Sequence, residues 1–199
     1  MKKVRSAATV MHRRRVRPRM PQTKPLELGA AAPPFKLPAT DGRTYALDDF
    51  ADARALAVVF WCNHCPYVQA YESRVLELAR GLAPQGLALV LVNSNETEHY
   101  PEDSFEHMVE RAREKAYPVP YLRDESQEVA SAYGGQCTPH AFVFDASRQL
   151  VYHGAIDDNY RSVSKVKHHY LRDACVAAVA GRPPAQPFAH PIGCSIKWG

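Results

Sequence analysis

The run ALAVVFW at residues 55–61 is apolar at every position and breaks off into Cys62-Asn63-His64-Cys65-Pro66. An unbroken apolar run fits a strand buried on both faces, since a strand with one wet face would alternate polar and apolar residues. Such a strand needs cover on either side, which restricts the chain to a layered α/β arrangement. The residues after the break supply a first covering helix. Val68, Tyr71, Val75 and Ala79 share one face over residues 67–80, and Gly81 reads as its stop.

The alternation continues along the chain. Residues 86–92 (GLALVLV) read as a second buried strand, and Pro101 opens an amphipathic helix with Phe105, Met108, Val109, Ala112 and Ala116 at helical spacing. Residues 117–122 form a short extended piece, and 125–133 a short helix closed by Gly134-Gly135. Strand patterns at 140–144 and 149–153 flank the residues 145–148, which suit a hairpin. A last helix over 166–180 turns Leu171, Ala174, Cys175, Ala178 and Val179 to the core before Gly181 and Pro183-Pro184 end it. Upstream, PPFKLPATDGRTYALDDF reads as short strands joined through Asp41-Gly42. The order β-α-β-α-β-α-β-β-α predicts a largely parallel sheet with antiparallel strands added at one side.

Charge divides the chain into two parts. The net charge is +4, yet residues 1–20 hold eight basic side chains and no acid, which leaves 17 basic against 21 acidic in residues 21–199. The basicity therefore belongs to an arm and not to the domain, a single unit expected over 21–199. The arm reads as a disordered leader or as an upstream start, since Met11 and Met20 offer alternatives, and no nucleic-acid partner is expected for it. SAATV is too short for the apolar part of a secretory signal, and no run of 18 apolar residues offers a membrane span. The expected setting is a reducing cytoplasm. Five cysteines in 199 residues are too sparse for a disulfide-scaffold protein.

Cys62 and Cys65 stand where a buried strand gives way to a helix. Free backbone N–H groups and the positive end of the helix dipole stabilise a thiolate there, and a thiolate is the species that attacks a disulfide. Cys62 is then the nucleophile and Cys65 the thiol that resolves the mixed disulfide. His64, between them, is expected to favour the thiolate and to make the oxidised pair a stronger oxidant. A structural zinc site usually needs a second tight ligand pair, and Cys137, Cys175 and Cys194 are all single; no metal is expected. Pro66 leaves two solutions open. Either the helix starts at Cys62 or Asn63 with an irregular first turn, or it starts at Pro66 and places Cys65 at the cap. The first favours Cys62 as leading sulfur, the second Cys65.

A wider resemblance rests on several motifs in order. WCNHC after a buried strand, with Thr138-Pro139 ahead of a later strand, resembles the thioredoxin fold. More narrowly, FWCNHCPYV, YGGQCTPHAFVFD, LVYHGAIDD and PIGCSIKW, with the opening GAAAPPFKLPATDGRTYALDDF, are similar to thioredoxin-like proteins of the AhpC/TSA (peroxiredoxin-related) superfamily over residues 26–199. The resemblance implies a thioredoxin fold, a central mixed β-sheet flanked by helices, with an N-terminal β extension of the peroxiredoxin-related type. It implies a Cys62/Cys65 redox dithiol, a cis peptide before Pro139, and Trp61, Thr138 and Pro139 beside the substrate. Thr138 would offer its backbone to an extended substrate segment.

Two departures accompany it. The peroxidase motif Pro-x-x-x-Thr/Ser-x-x-Cys fails in both registers, with Val58 and Cys62 before Cys65, and Ala55 and Val59 before Cys62. The buried aspartate that thioredoxins keep six residues before the first cysteine is Leu56 here. Cys175 reads as a core residue, while Cys137, two residues before Pro139, and Cys194, in the terminal GCSIKW, are candidate auxiliary thiols.

The expected function is thiol–disulfide exchange with protein or small-molecule disulfides and a reducing or oxidising thiol partner, without a bound cofactor. The alternatives are an antioxidant peroxidase using Cys65 or Cys62, and a non-catalytic binding protein on the same fold.

Overall fold

The computed structural model describes residues 24–199, so the basic arm lies outside the described residues. At the centre is a six-stranded mixed sheet. Its middle strand is the apolar run, β3 (Ala55–Phe60), buried at every residue. Two short strands, β1 (Lys36–Pro38) and β2 (Thr44–Ala46), precede it as an antiparallel hairpin. Their turn is made by Gly42, at a φ of +83°, and by Asp41, whose carboxylate accepts from the Arg43 N–H. This is the expected N-terminal β extension.

β3 pairs parallel with β4 (Leu87–Asn93), which pairs parallel with β5 (Tyr121–Arg123). On its other edge β3 pairs antiparallel with β7 (His140–Phe144), which pairs antiparallel with β8 (Leu150–Gly154). The strand β9 (Phe188–Ala189) closes that side, giving the order β5-β4-β3-β7-β8-β9. Parallel pairing on the β4 side of β3 gives way to antiparallel pairing at β7 and β8, as the element order predicts, and β9 then runs parallel to β8.

Period-2 alternation explains why β3 is apolar throughout. Ala55, Ala57 and Val59 pack with α1 (Pro66–Leu82) and α4 (Tyr170–Val179), through Val68, Val75, Leu171 and Ala174 among others. Leu56, Val58 and Phe60 pack into a second core with Leu37, Phe142 and, from α3 (Glu128–Tyr133), Val129, Ala130 and Tyr133. Leu56 is thus needed as core, and an aspartate there would be a buried charge.

Several boundaries differ from expectation. Gly81 is interior to α1, and the chain turns only at Gly86, whose φ is +101° and where the Arg54 side chain lies 2.8 Å from the place a Cβ would take. Pro101 begins a single 3-10 turn, and α2 (Phe105–Glu114) follows from an N-cap at Ser104. Of its expected apolar face only Met108 is fully buried, and Ala116 already has a φ of +47° beyond the helix end. α4 starts at Tyr170, later than the spacing suggests. Asp158 accepts from the Lys167 N–H and Asn159 from the Ser162 N–H, and these polar side chains hold the preceding segment in turns. Among the described residues no helix is long and apolar enough to cross a membrane.

Candidate active site

Of the two solutions open to Pro66, the structure takes the second. Cys65 has extended backbone (φ −69°, ψ +123°) and is the N-cap of α1, with Pro66 as the first helical residue. The proline disfavours helical geometry at Cys65, and its own missing N–H is one that no helix would have bonded. Cys62 therefore lies in the loop between β3 and α1, and both thiols are shut off from solvent.

Their environments drive the two sulfurs apart. Cys65 is lowered to about 5, first because the Cys62 thiol hydrogen-bonds to its anion, then because Cys194 does. The Val68 amide in the first turn and the Cys194 amide add to this without making a capping bond. Burial works against that shift and is outweighed. Cys62 is displaced the other way, well above an ordinary thiol, by burial, by its bond to the Cys65 sulfur and by the charge of Asp103. Thr138 Oγ1 lies 3.1 Å from the Cys62 sulfur and favours its anion only weakly by comparison. When protonated, Cys65 donates to the Thr138 carbonyl at 3.2 Å. The two shifts run in opposite directions, Cys65 down and Cys62 up, and favour the anion on Cys65.

Asp103 escaped the sequence reading. It is fully buried, in the 3-10 turn before α2, and accepts from the Asn63 N–H at 2.6 Å and from Asn95 Nδ2 at 2.6 Å. Asn63, between the cysteines, also donates to the Glu102 carbonyl and accepts from the Tyr121 hydroxyl. The tight loop is held by the Asp103 and Tyr121 side chains, the Glu102 carbonyl and, from α1, Gln69, which donates to the Asn63 carbonyl at 3.0 Å. No local pattern marks Asp103 as different from its acidic neighbour Glu102; the only hint was the missing acid at Leu56.

His64 belongs to the same network. Its Nδ1 lies 2.7 Å from Asp103 Oδ2, and its ring stacks on Tyr100 with centroids 5.3 Å apart. Donor atoms of Cys62, His64 and Asp103 fall within 4.8 Å of one another, and each is already engaged by a protein partner. The imidazole approaches the dithiol through Asp103 and makes no direct bond to either sulfur.

The Thr138–Pro139 peptide is cis and ends the two-residue strand β6 (Cys137–Thr138). Its expected place as receiver of an extended segment is taken by the chain itself. β10 (Cys194–Ser195) pairs antiparallel with β6, Cys194 opposite Thr138 and Ser195 opposite Cys137. The Cys194 sulfur thereby comes to 2.7 Å from Cys65 Sγ.

The other expected site residues fare differently. Trp61, expected beside the substrate, is fully buried in the same core cluster as the dithiol and gives its indole N–H to the Tyr117 hydroxyl at 3.2 Å. Cys137 is buried, pushed up to about 12 by that burial and then by the Cys65 and Cys194 charges, and its sulfur faces the Pro139 carbonyl. The alternation along β6 sends it away from the face that Thr138 shares with Cys62. Cys175 is a core residue of α4.

Solved structures of similar chains agree on this architecture. An uncharacterized conserved protein from Geobacillus kaustophilus is 41% identical, with a TM-score of 0.83 over 89% of this chain and 95% of that one. A hypothetical protein from Sinorhizobium meliloti 1021 is 38% identical, with a TM-score of 0.83 over 89% and 98%. The thioredoxin domain of a thiol-disulfide oxidoreductase from Bacteroides vulgatus shares the fold at 19% identity, with a TM-score of 0.55 over 64% and 88%. No curated protein matches the chain. The AhpC/TSA family matches residues 28–153, from the hairpin extension through the dithiol and the cis-proline to β8, and the chain belongs to that family.

Proposed function

We propose that the protein is a thiol–disulfide oxidoreductase that works through Cys62 and Cys65, with Cys65 as the attacking thiolate. The observation that carries this reading is the position of Cys65 at the cap of α1, where the Cys62 thiol and the helix start hold it anionic near neutral pH. The Cys65 thiolate attacks one sulfur of a disulfide, forms a mixed disulfide and expels the other sulfur as a thiolate. Closure of Cys62–Cys65 then releases the second substrate thiol. The two electrons gained by the substrate come from the two cysteines, and a dithiol partner restores them.

Cys62 must lose its proton to close the pair, and the His64–Asp103 couple beside it supplies the acceptor that Leu56 cannot. Because Cys65 is a good leaving group, the oxidised pair is readily reduced again by the dithiol partner, which completes the cycle. The substrates are protein or small-molecule disulfides.

Reduction of oxidised glutathione by the protein with a dithiol reductant tests the reading. Turnover that disappears in Cys65→Ser supports it, and the absence of turnover in the wild type sinks it. A peroxidase reading has one observation in its favour, the low thiol range of Cys65, and one against it, the failed Thr/Ser-x-x-Cys register. It requires the Cys65 thiolate to take one oxygen from a peroxide as a sulfenic acid and release an alcohol or water. Consumption of peroxide without any reduction of disulfide would select it.

A further inference from the structure

The C-terminal segment brings a third sulfur to the dithiol, and its docking is built from many parts. Gly193 lets the chain pass against β6: a Cβ there would sit 2.2 Å from the Thr138 carbonyl oxygen. Ile196 is buried against the second core, and its N–H donates to the Gln136 carbonyl. The Lys197 N–H donates to Asn95 Oδ1 at 2.9 Å, and its carbonyl accepts from the Glu96 N–H at 2.8 Å and from Gln127 Nε2 at 2.8 Å. These bonds, with the pairing of β10 to β6, fix where Cys194 falls. Of the three clustered sulfurs, only that of Cys194 belongs to a partly exposed residue.

Building on the exchange chemistry above, we propose that Cys194 is a third redox thiol of this site, which can close a Cys65–Cys194 disulfide in place of Cys62. After Cys65 has formed a mixed disulfide, the Cys194 sulfur attacks the Cys65 sulfur, the bond from Cys65 to the substrate sulfur breaks, and the substrate leaves as a thiol with the Cys194 proton. The protein is oxidised by two electrons and the disulfide substrate is reduced by two. A disulfide bond needs the sulfurs at about 2.05 Å, so the 2.7 Å separation requires little movement.

Electrostatics time the step. In the reduced protein Cys194 is held up at about 12 by burial and then by its bond to the Cys65 anion and that anion's charge. Adduct formation removes the Cys65 charge, while Lys197, which lowers Cys194, stays in place. The new bond is also well placed for reopening. An outside thiol meets the Cys194 sulfur first and expels Cys65, the better leaving group.

The test treats the reduced full-length protein with oxidised glutathione, quenches it in acid, alkylates free thiols and locates every link by fragmentation mass spectrometry. Three forms are compared: Cys62→Ser, Cys62→Ala, and Cys62→Ser with Cys194→Ser. In both single variants the expected product is a Cys65–Cys194 link with glutathione released, and in the double variant glutathione remains on Cys65. Single variants that keep glutathione on Cys65, with Cys194 alkylated, overturn the role of Cys194 and leave the exchange reading intact. A double variant without any adduct on Cys65 overturns the exchange reading, and this inference with it.

Discussion

The loop 62–66 and the tail 193–199 both deliver a sulfur to Cys65, by opposite means. The loop is fixed from within, between the central strand β3 and the cap of α1, with Asn63 clamped to Asp103 and Tyr121. The tail is fixed from without, by a two-residue strand and bonds from Asn95, Gln127 and Gln136, which lie far from it in sequence. One sulfur is therefore a property of the local chain, and the other of the assembled domain.

That contrast can be broken experimentally at four points. Cys65→Ser has the largest expected effect, a loss of more than about a thousandfold in disulfide reduction, on the order of 4 kcal/mol in barrier. Equal loss in Cys62→Ser would place the two loop cysteines on the same footing. Next comes pH. Because Cys65 is lowered to about 5, its anion persists from neutral pH down to that range, so alkylation by iodoacetamide should stay level and then fall about tenfold per pH unit below it. Cys194, pushed up to about 12, should react only in strong alkali. A midpoint for Cys65 between 8 and 9, roughly that of a free thiol, would mean that the helix cap and its sulfur partners do nothing.

Asp103→Asn is expected to cost about 1–3 kcal/mol in urea denaturation, since it leaves buried donors of Asn63, Asn95 or His64 poorly matched. It should also make Cys62 easier to ionise, because the Asp103 charge holds that thiol up. Alkylation of Cys62 in a Cys65→Ser background reads that second effect, and an unchanged rate would remove Asp103 from the electrostatics. The smallest global effect is expected from Gly193→Ala. The added methyl group overlaps the Thr138 carbonyl and should unseat β10, with a cost within the 1–3 kcal/mol or so that overpacking brings. Faster hydrogen exchange at the Ile196 and Lys197 amides, with the amides of β3 unchanged, is the signature; protection retained in the tail would show that docking does not depend on that approach.

Much of the site was legible because it is local. A continuous apolar run gave β3, its end gave the loop, and Pro66 narrowed the helix start to two solutions. The cis peptide before Pro139 followed from the family resemblance, and the core role of Cys175 from helical spacing. Trp61 illustrates the limit, since the aromatic beside a reactive cysteine reads as a contact surface until the packing of Tyr117 shows it enclosed. Asp103 was illegible for a related reason: burial, not residue type, separates it from Glu102, and burial depends on how the turn before α2 folds over the loop.

By itself the sequence determined the layers, the strand–loop–helix junction and the presence of two thiols within one turn of each other. Those features depend on periodicity and on proline's fixed backbone, which act between near neighbours. Only the tertiary structure decided that Cys65 is lowered, that burial, the Cys65 bond and then the Asp103 charge raise Cys62, and that Cys194 reaches Cys65 across 129 residues. Charge and solvent exclusion act through space, and the residues that supply them are set by how separate elements pack.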